Sequence, residues 1–577
     1  MAPTPPAAQP LLEAGGADRG SPGGRGVCFR RCCRGSLLIV AFFCALLLAS
    51  WLRWVLTFSS CEPRAPLGPP VDWEFSREDT ASWMLAEERG RKAVVEGLPR
   101  EVDVVVVGAG YAGLTAAREL SRAGRRVAVL EAHGHVGGRV LNVDLSDIRP
   151  GAGYAEVGGQ WLATREEQPH AWRLIVDELN SSLVEWGLTP VPGDSYVFSG
   201  AFPEGVRYGA SSAKGLWGAA RLLWSHWVDV VDVIFTYRLM DTMRSQISQG
   251  FAWRSKPDLE SWLCDTVGAR EARNWLRSTE LIVLSNEPST WSTHSAVRMQ
   301  GGGHWKRELT SAQSYRIKGG MAAPLKRLAA QLGDVVRVGM PVTHIAQDSD
   351  GVSVTVEPVG HPSSLQIRCK FLVMTGSPRA TSAIGFSPPL PAGKHEILRH
   401  IQMGTNVKAQ LVYDSPWWRD AGCSAQSMSN TNVLAHSESL HLTACIDNTP
   451  QGVPDPVGVV VCFCGGECAR KMMRLPQAAR EREMAAYLAR QLGPRALTPL
   501  RYVDFNWMGD QYTGGAYTIV VPPGDVGQHN LTSLRDSFGR VRWAGSDYRP
   551  LESGETGYVN GAVAGGVEVA AELHGLL

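Results

Sequence analysis

Apolar positions in this chain come in short blocks separated by glycine. Val102–Val107 is apolar except for Asp103, as expected of a strand buried on both faces. Gly108-Ala-Gly110-Tyr-Ala-Gly113 follows directly. Leu114–Ala123 then has helical periodicity, and Arg126–Leu130 is a second strand-like run closing on Glu131. Strands and glycine turns of this kind fill residues 102–160 and return at 335–375 and 540–577. Between them, residues 212–248 read as a Trp-rich helical stretch, and residues 400–465 alternate apolar and polar positions as strands do. The pattern predicts an α/β (α+β) chain. Its 577 residues exceed one ordinary core, so two domains are expected. The first is assembled from residues 98–190, 335–385 and 535–577. The second, a mixed sheet with helices, takes residues 191–334 and 386–534.

The N-terminus has a different texture. Residues 1–35, rich in Pro, Gly and Ala, are expected to form a disordered cytosolic tail. Ser36–Leu52 is an unbroken uncharged run. Counted through Phe58, with Arg53 reaching to the interface, it is long enough to cross a bilayer. Residues 36–58 are therefore expected to be a single transmembrane anchor and 59–97 a linker. Arg25, Arg30, Arg31 and Arg34 crowd one flank, while Glu62, Asp72 and Glu74 dilute the other. The N-terminus is thus expected in the cytosol and the large domain in a lumen or outside the cell. The competing expectations are a cleaved signal peptide, whose leading region would be unusually long, and a leader for an organelle such as the mitochondrion. Asn180-Ser-Ser and Asn530-Leu-Thr are sequons usable in a lumenal domain. Cys28, Cys32 and Cys33 flank the anchor where palmitoylation occurs.

Charge brings an exclusion. A net charge of +1 with 20% charged residues lacks the basic footprint of a nucleic-acid binder. The 19 tryptophans read mostly as large core residues, with pocket walls as a second use. Twelve cysteines lack C-x-x-C and zinc-ribbon spacing. Cys462, Cys464 and Cys468 cluster, but Cys462 and Cys464 read as free, buried residues of an apolar strand. No metal is expected, and the cysteines leave the redox compartment open.

The segment Asp103–Arg139 carries the first chemistry. Strand, G-x-G-x-x-G, helix, strand and acid form a Rossmann-like dinucleotide site. Gly108 permits the tight turn, Gly110 lets backbone approach a pyrophosphate, and Gly113 lets helix and strand pack closely. Glu131, closing the second strand, is placed to accept from ribose hydroxyls. This fingerprint alone serves FAD or NAD equally. Gly137-Gly138-Arg139 resembles the G-G-R that follows the acid in glutathione-reductase-like flavoproteins, beside the FAD pyrophosphate, where a cation offsets phosphate charge.

From Asp103 to the C-terminus the chain resembles the flavin-containing amine oxidases, with its greatest similarity to monoamine oxidases. Glu156-Val-Gly158-Gly159-Gln160-Trp161 is similar to the family's second glycine pair, which passes near the flavin. Tyr315-Arg-Ile-Lys-Gly319-Gly320 resembles a strand and turn opening a substrate-domain helix. Val338–Ile345 resembles the strand whose Val342 backbone contacts adenine. Asn506-Trp507 and Gln511–Tyr517 precede Trp543-Ala-Gly-Ser546-Asp547 and Gly557-Tyr558-Val559-Asn-Gly-Ala562, the C-terminal flavin motif. The resemblance implies an FAD domain interleaved with a substrate domain. It also implies FAD contacts by Gly138, Arg139, Gly159, Gln160, Trp161, Val342, Trp507, Ser546, Asp547, Tyr558 and Val559.

It further implies a catalytic set. Lys408 matches a lysine that holds a water against the flavin. Alternation puts it on the strand face opposite Val407, Ala409 and Leu411. Tyr517 and Tyr558 match two aromatics that cage the amine, and Gln313 matches a cavity-lining position. Monoamine oxidases attach FAD through a cysteine in the G-G-x-Y motif; here that residue is Ala516, so FAD is expected to be noncovalent. The implied reaction converts an amine to an imine and then an aldehyde, with O2 reduced to hydrogen peroxide. The rival readings are a polyamine oxidase, an L-amino-acid oxidase, and a non-catalytic membrane protein that retains FAD. Amino-acid oxidases place Met-Arg where this chain has Gln160-Trp161. The sequence does not fix the amine or the oligomeric state.

Overall fold

The computed structural model of this chain describes residue 63 and residues 93–577, apart from 187–190, 200, 250–255, 302–305, 308–310, 431–441 and 525–530. The chain divides into Met1–Phe58 and Ser59–Leu577, and all described residues belong to the second unit. The expected tail and anchor, most of the linker, and the Asn530 sequon lie outside the described residues. Among the described residues no helix is long and apolar enough to cross a membrane.

The fold is mixed α/β with two domains. At the centre of the first is β1 (Glu101–Val107), paired in parallel with the strand Leu365–Met374 on one side. Helix α1 (Tyr111–Arg122) carries the chain across to β2 (Val127–Leu130), parallel to β1 on its other side. Val104, Val105 and Val106 have no exposed surface. Both faces of the sheet are covered, which is why this run is continuous rather than alternating. The remaining strands of this eight-stranded sheet are Val336–Arg337, Val342–Gln347, Val352–Val356, Gly385–Ser387 and Val541–Trp543. The C-terminal helix Val559–Leu576 lies against α1. A Cβ added to Gly566 would stand 2.5 Å from the Ala112 carbonyl, so these two helices meet backbone to backbone.

The second domain is built on a seven-stranded sheet. Its core pair is β3 (Val407–Tyr413) and β4 (Gly458–Cys464), antiparallel, with Lys408 opposite Phe463. Arg501–Val503, Ala444–Asp447, Cys423–Ser429, Asp194–Ser199 and Phe202–Tyr208 complete it. The 36-residue helix α2 (Ala213–Ser248) follows, starting where the Ser212 side chain accepts from the Gly215 N–H. It matches the helical stretch expected at 212–248.

Two expectations need correction. The strand expected at Val338–Ile345 spans Val342–Gln347, because Pro341 has no N–H to give to a ladder. Cys462 and Cys464 are not free. Cys462 is bonded to Cys445 and Cys464 to Cys468. Cys445 sits directly opposite Cys462 on the neighbouring strand, a juxtaposition created by register and invisible in either segment alone.

Candidate functional site

The edges of both domains meet in a cleft of about 810 Å³, and most of the residues singled out from sequence border it. The glycines of the first turn divide the work. Gly108 adopts φ 104°, and a Cβ there would stand 2.5 Å from Thr375 Oγ1. A Cβ on Gly113 would run into the Gly108 carbonyl, so Gly113 sits within the protein and does not line the cleft. Gly110 is different. The nearest protein atom to an added Cβ is the Gly137 carbonyl at 3.8 Å, and a Cβ on Gly138 would lie 3.9 Å from the Gly110 Cα. The bare space is kept for something other than protein.

Two helix N-termini open on that space. α1 begins after Gly110 with no side-chain cap and no acid in its first turn. The C-terminal helix begins after Tyr558 with the same two features, and Gly557, Tyr558 and Val559 line the cleft. Uncapped N-termini attract anions and electron-rich acceptors. One suits a pyrophosphate and the other a flavin's pyrimidine edge. The donor set therefore fits FAD.

Glu131 lines the cleft at the end of β2. Its Oε2 accepts from the Ala109 N–H at 2.7 Å, and its Oε1 from the His133 N–H at 2.9 Å. The buried His133 imidazole reaches Glu131 Oε1 through Nδ1 at 3.2 Å and Asp510 Oδ1 through Nε2 at 3.0 Å. Burial pulls its pKa down, but Asp510 and Glu131 together outweigh that and hold it well above the usual histidine value. An imidazolium donating to both carboxylates ties the Glu131 end of the cleft to the Gly509–Thr513 turn. Val342 borders the same end.

Arg139 serves the other end. Its guanidinium forks onto the buried Asp547 at 3.0 and 2.6 Å and donates to the Tyr517 carbonyl at 2.9 Å. Its charge is thus already matched by Asp547, a partner the expectation of direct phosphate neutralisation did not include. Tyr517 and Tyr558 both line the cleft, as do Gly159 and Ser546.

Lys408 lies beneath this surface. Its Nζ donates to the Gly158 carbonyl and to Gln160 Oε1, each at 2.6 Å, and stands 5.1 Å from the Trp161 ring. Burial lowers its pKa to about 7, only partly offset by Glu156. The alternation reading of β3 holds. Val407, Ala409 and Leu411 point into an apolar core, while Gln410, on the Lys408 face, donates to the Glu156 carbonyl. Gln160 donates in turn to Asn448, which donates to Gln410.

Sequence reasoning missed His133, Asp510, Gln410 and Asn448. His133, two residues past the acid, Asp510, just before Gln511, and Gln410, two residues past Lys408, each stood beside a recognised motif, whereas Asn448 did not. Several expected contacts lie outside the cleft lining. Trp507 is buried, donating to the Val157 carbonyl at 3.2 Å. Gln160 and Trp161 surround Lys408 instead, and Asp547 is covered by Arg139. Gln313 precedes the strand Tyr315–Ile317 and is not brought to the cleft.

The glycine turn and the buried histidine are each open to test. Gly110→Val is expected to fold with an unchanged apoprotein Tm but to purify with little flavin, whereas Gly113→Val is expected to lower Tm itself. Equal flavin occupancy in Gly110→Val and wild type, read by absorbance, contradicts the assignment. For His133, the folded pKa is raised, so its stabilisation is complete below its unfolded value of about 6.5 and is lost as pH rises through the folded value. The Tm difference between wild type and His133→Asn is expected to be largest near pH 6 and to shrink in alkali. A difference that stays constant across that range would mean that His133 is neutral.

The family model described as flavin containing amine oxidoreductase matches residues 111–574. Putrescine oxidase of Kocuria rosea is 31% identical over 498 residues, covering 82% of this chain and 95% of that protein. Flavin-containing amine oxidase B of Mus musculus is 28% identical, covering 82% and 86%. A Synechocystis L-amino acid dehydrogenase is also 28% identical, covering 82% and 95%. The solved structure of wild-type putrescine oxidase bound to putrescine superposes with TM-score 0.68 at 26% identity, covering 82% of this chain and 98% of that one. With a cleft that fits FAD and a family match over most of its length, this chain belongs to the flavin-containing amine oxidoreductases, enzymes that oxidise amines.

Proposed function

We propose that this protein oxidises a monoamine, with noncovalently held FAD, Lys408, Tyr517 and Tyr558 forming the reaction site. The observation that carries this reading is that Tyr517 and Tyr558 border one cleft with two uncapped helix N-termini. FAD, when bound, would supply the electron sink: the carbon beside the amine nitrogen gives up a hydrogen with its two electrons and the nitrogen gives up a proton, water converts the imine to an aldehyde and releases the nitrogen as ammonia or an amine, and O2 takes up the two electrons and two protons as hydrogen peroxide.

The chain's residues bind and orient. Tyr517 and Tyr558 offer ring faces that guide the amine and exclude water. Arg139 fixes the Tyr517 carbonyl. An ammonium has three donors; Lys408 commits two to Gly158 and Gln160, leaving one for a water. A pKa of about 7 lets this group exchange a proton near neutrality.

Substrate choice follows from charge. An amino-acid substrate needs a cation for its carboxylate. Arg165, the first after the second glycine pair, is forked onto Asp177 at 2.8 Å on the surface. A diamine needs an acid for its second ammonium. Among the described residues lining the cleft, the carboxylates Glu131, Glu357 and Asp510 are at the adenosine end. The likeness to putrescine oxidase favours a diamine as the second reading. Ala516, in place of the tethering cysteine, supports noncovalent FAD. The disulfides Cys445–Cys462 and Cys464–Cys468 and the exposed sequon at Asn180 favour a lumenal or extracellular location, with the anchor at 36–58.

Anaerobic mixing with an amine panel is expected to bleach the flavin band with monoamines, more slowly with diamines, and not with amino acids. No bleaching by any amine would overturn the oxidase reading. Lys408→Met is expected to slow flavin reoxidation by O2 at least about tenfold while flavin occupancy persists, in line with losses on removing a positioned catalytic group. An unchanged reoxidation rate would remove Lys408 from the site. Acid precipitation is expected to release all FAD into the supernatant, and flavin remaining on the protein by mass spectrometry would overturn noncovalent binding.

A further inference from the structure

Helix α2 is built the wrong way round for a water-facing helix. Leu216, Trp217, Leu223, Trp224, Ile234 and Phe235 are each 47–75% exposed, with Val230 and Val231 filling the gap between them. At 3.6 residues per turn these positions fall within an arc of roughly 140° and extend about 28 Å along the axis. The polar side of the helix is turned inward instead. Buried His226 pairs with Asp229 at 2.9 Å, Asp232 accepts from the Ala269 N–H at 3.0 Å, and Tyr237 donates to Glu280 at 3.1 Å. An ordinary surface helix has the opposite arrangement.

Charge says what covers this face. Between Lys214 and Arg238 the exposed charged residues are Lys214, Arg221 and Arg238, all cationic. The two acids of that span, Asp229 and Asp232, point into the protein. A second copy would oppose cation to cation. An anionic lipid surface complements both the apolar stripe and its basic margins, and Trp217 and Trp224 suit the headgroup boundary. The chain between the apolar segment at 36–58 and Ala93 has a reach of at most about 120 Å. On the proposed reading of 36–58 as an anchor, on which this inference rests, such a tether makes even a weak surface contact effectively intramolecular.

We propose that α2 lies in the plane of an anionic membrane leaflet, with its Leu216–Phe235 face in the headgroup–acyl boundary, as a second membrane contact of the catalytic unit. The test uses the full chain reconstituted in phosphatidylcholine vesicles with and without phosphatidylserine. The photocrosslinker benzoylphenylalanine replaces Trp224 or, as a control, the exposed Ser363, and adducts are read by mass. Lipid adducts at 224, absent at 363, are expected. They should fall roughly fivefold without phosphatidylserine and likewise in the Leu223→Glu/Val231→Glu background, whose amine oxidation in detergent should be unchanged. Crosslinks at 224 to a second copy, crosslinks to residues 36–58 of the same chain, or no adduct above the 363 control would each overturn the proposal.

Discussion

The cleft depends on backbone approaching backbone. Gly113 lets the start of α1 pass the Gly108 carbonyl, and Gly566 lets the C-terminal helix touch α1 at Ala112. Those contacts bring two helix N-termini, from opposite ends of the catalytic unit's sequence, to one space. Helix-terminal partial charge acts only across the first turn. A Cβ at either packing glycine would therefore move the dipoles out of range of a shared ligand.

Around that backbone frame the charged groups are paired before any ligand arrives. Arg139 is matched by Asp547, His133 lies between Glu131 and Asp510, and Arg316 and Glu156 form a fully buried pair at 2.5 Å. Removing one member of such a pair strands the other in a poorly solvating interior, a larger loss than the pair's own net contribution. Lys408 differs from these pairs. It has neutral acceptors, and burial brings its pKa down to about 7. A group held so near its titration point exchanges protons readily, whereas the ion pairs fix geometry.

The resemblance of the motifs carried the cofactor, the tyrosine pair and Lys408, because each sits in a local pattern with a fixed partner in sequence. Polar networks were not legible in the same way. Gln410, Asn448 and Gln160 touch one another across three separate segments, and nothing in each segment marks the residue that will be met. The cysteines of β4 illustrate the same limit. Alternation placed Cys462 on a strand, but only register set it opposite Cys445. The exposed apolar face of α2 is a third case. Its Trp-rich composition was plain, yet which side packs on the protein depends on Asp232 meeting Ala269 and Tyr237 meeting Glu280.

By itself the sequence determined the mixed α/β class, the glycine turns, the strand of Lys408 and the family likeness. These rest on interactions within a few residues, where periodicity and glycine's freedom act directly. Tertiary structure alone decided that Arg139 spends its charge on Asp547, that His133 bridges two carboxylates, and that the side chains of Trp507 and Gln313 stay out of the cleft. Those outcomes turn on distances between segments far apart along the chain. A difference of a few ångströms there separates a paired charge from a free one, and chain order does not encode it.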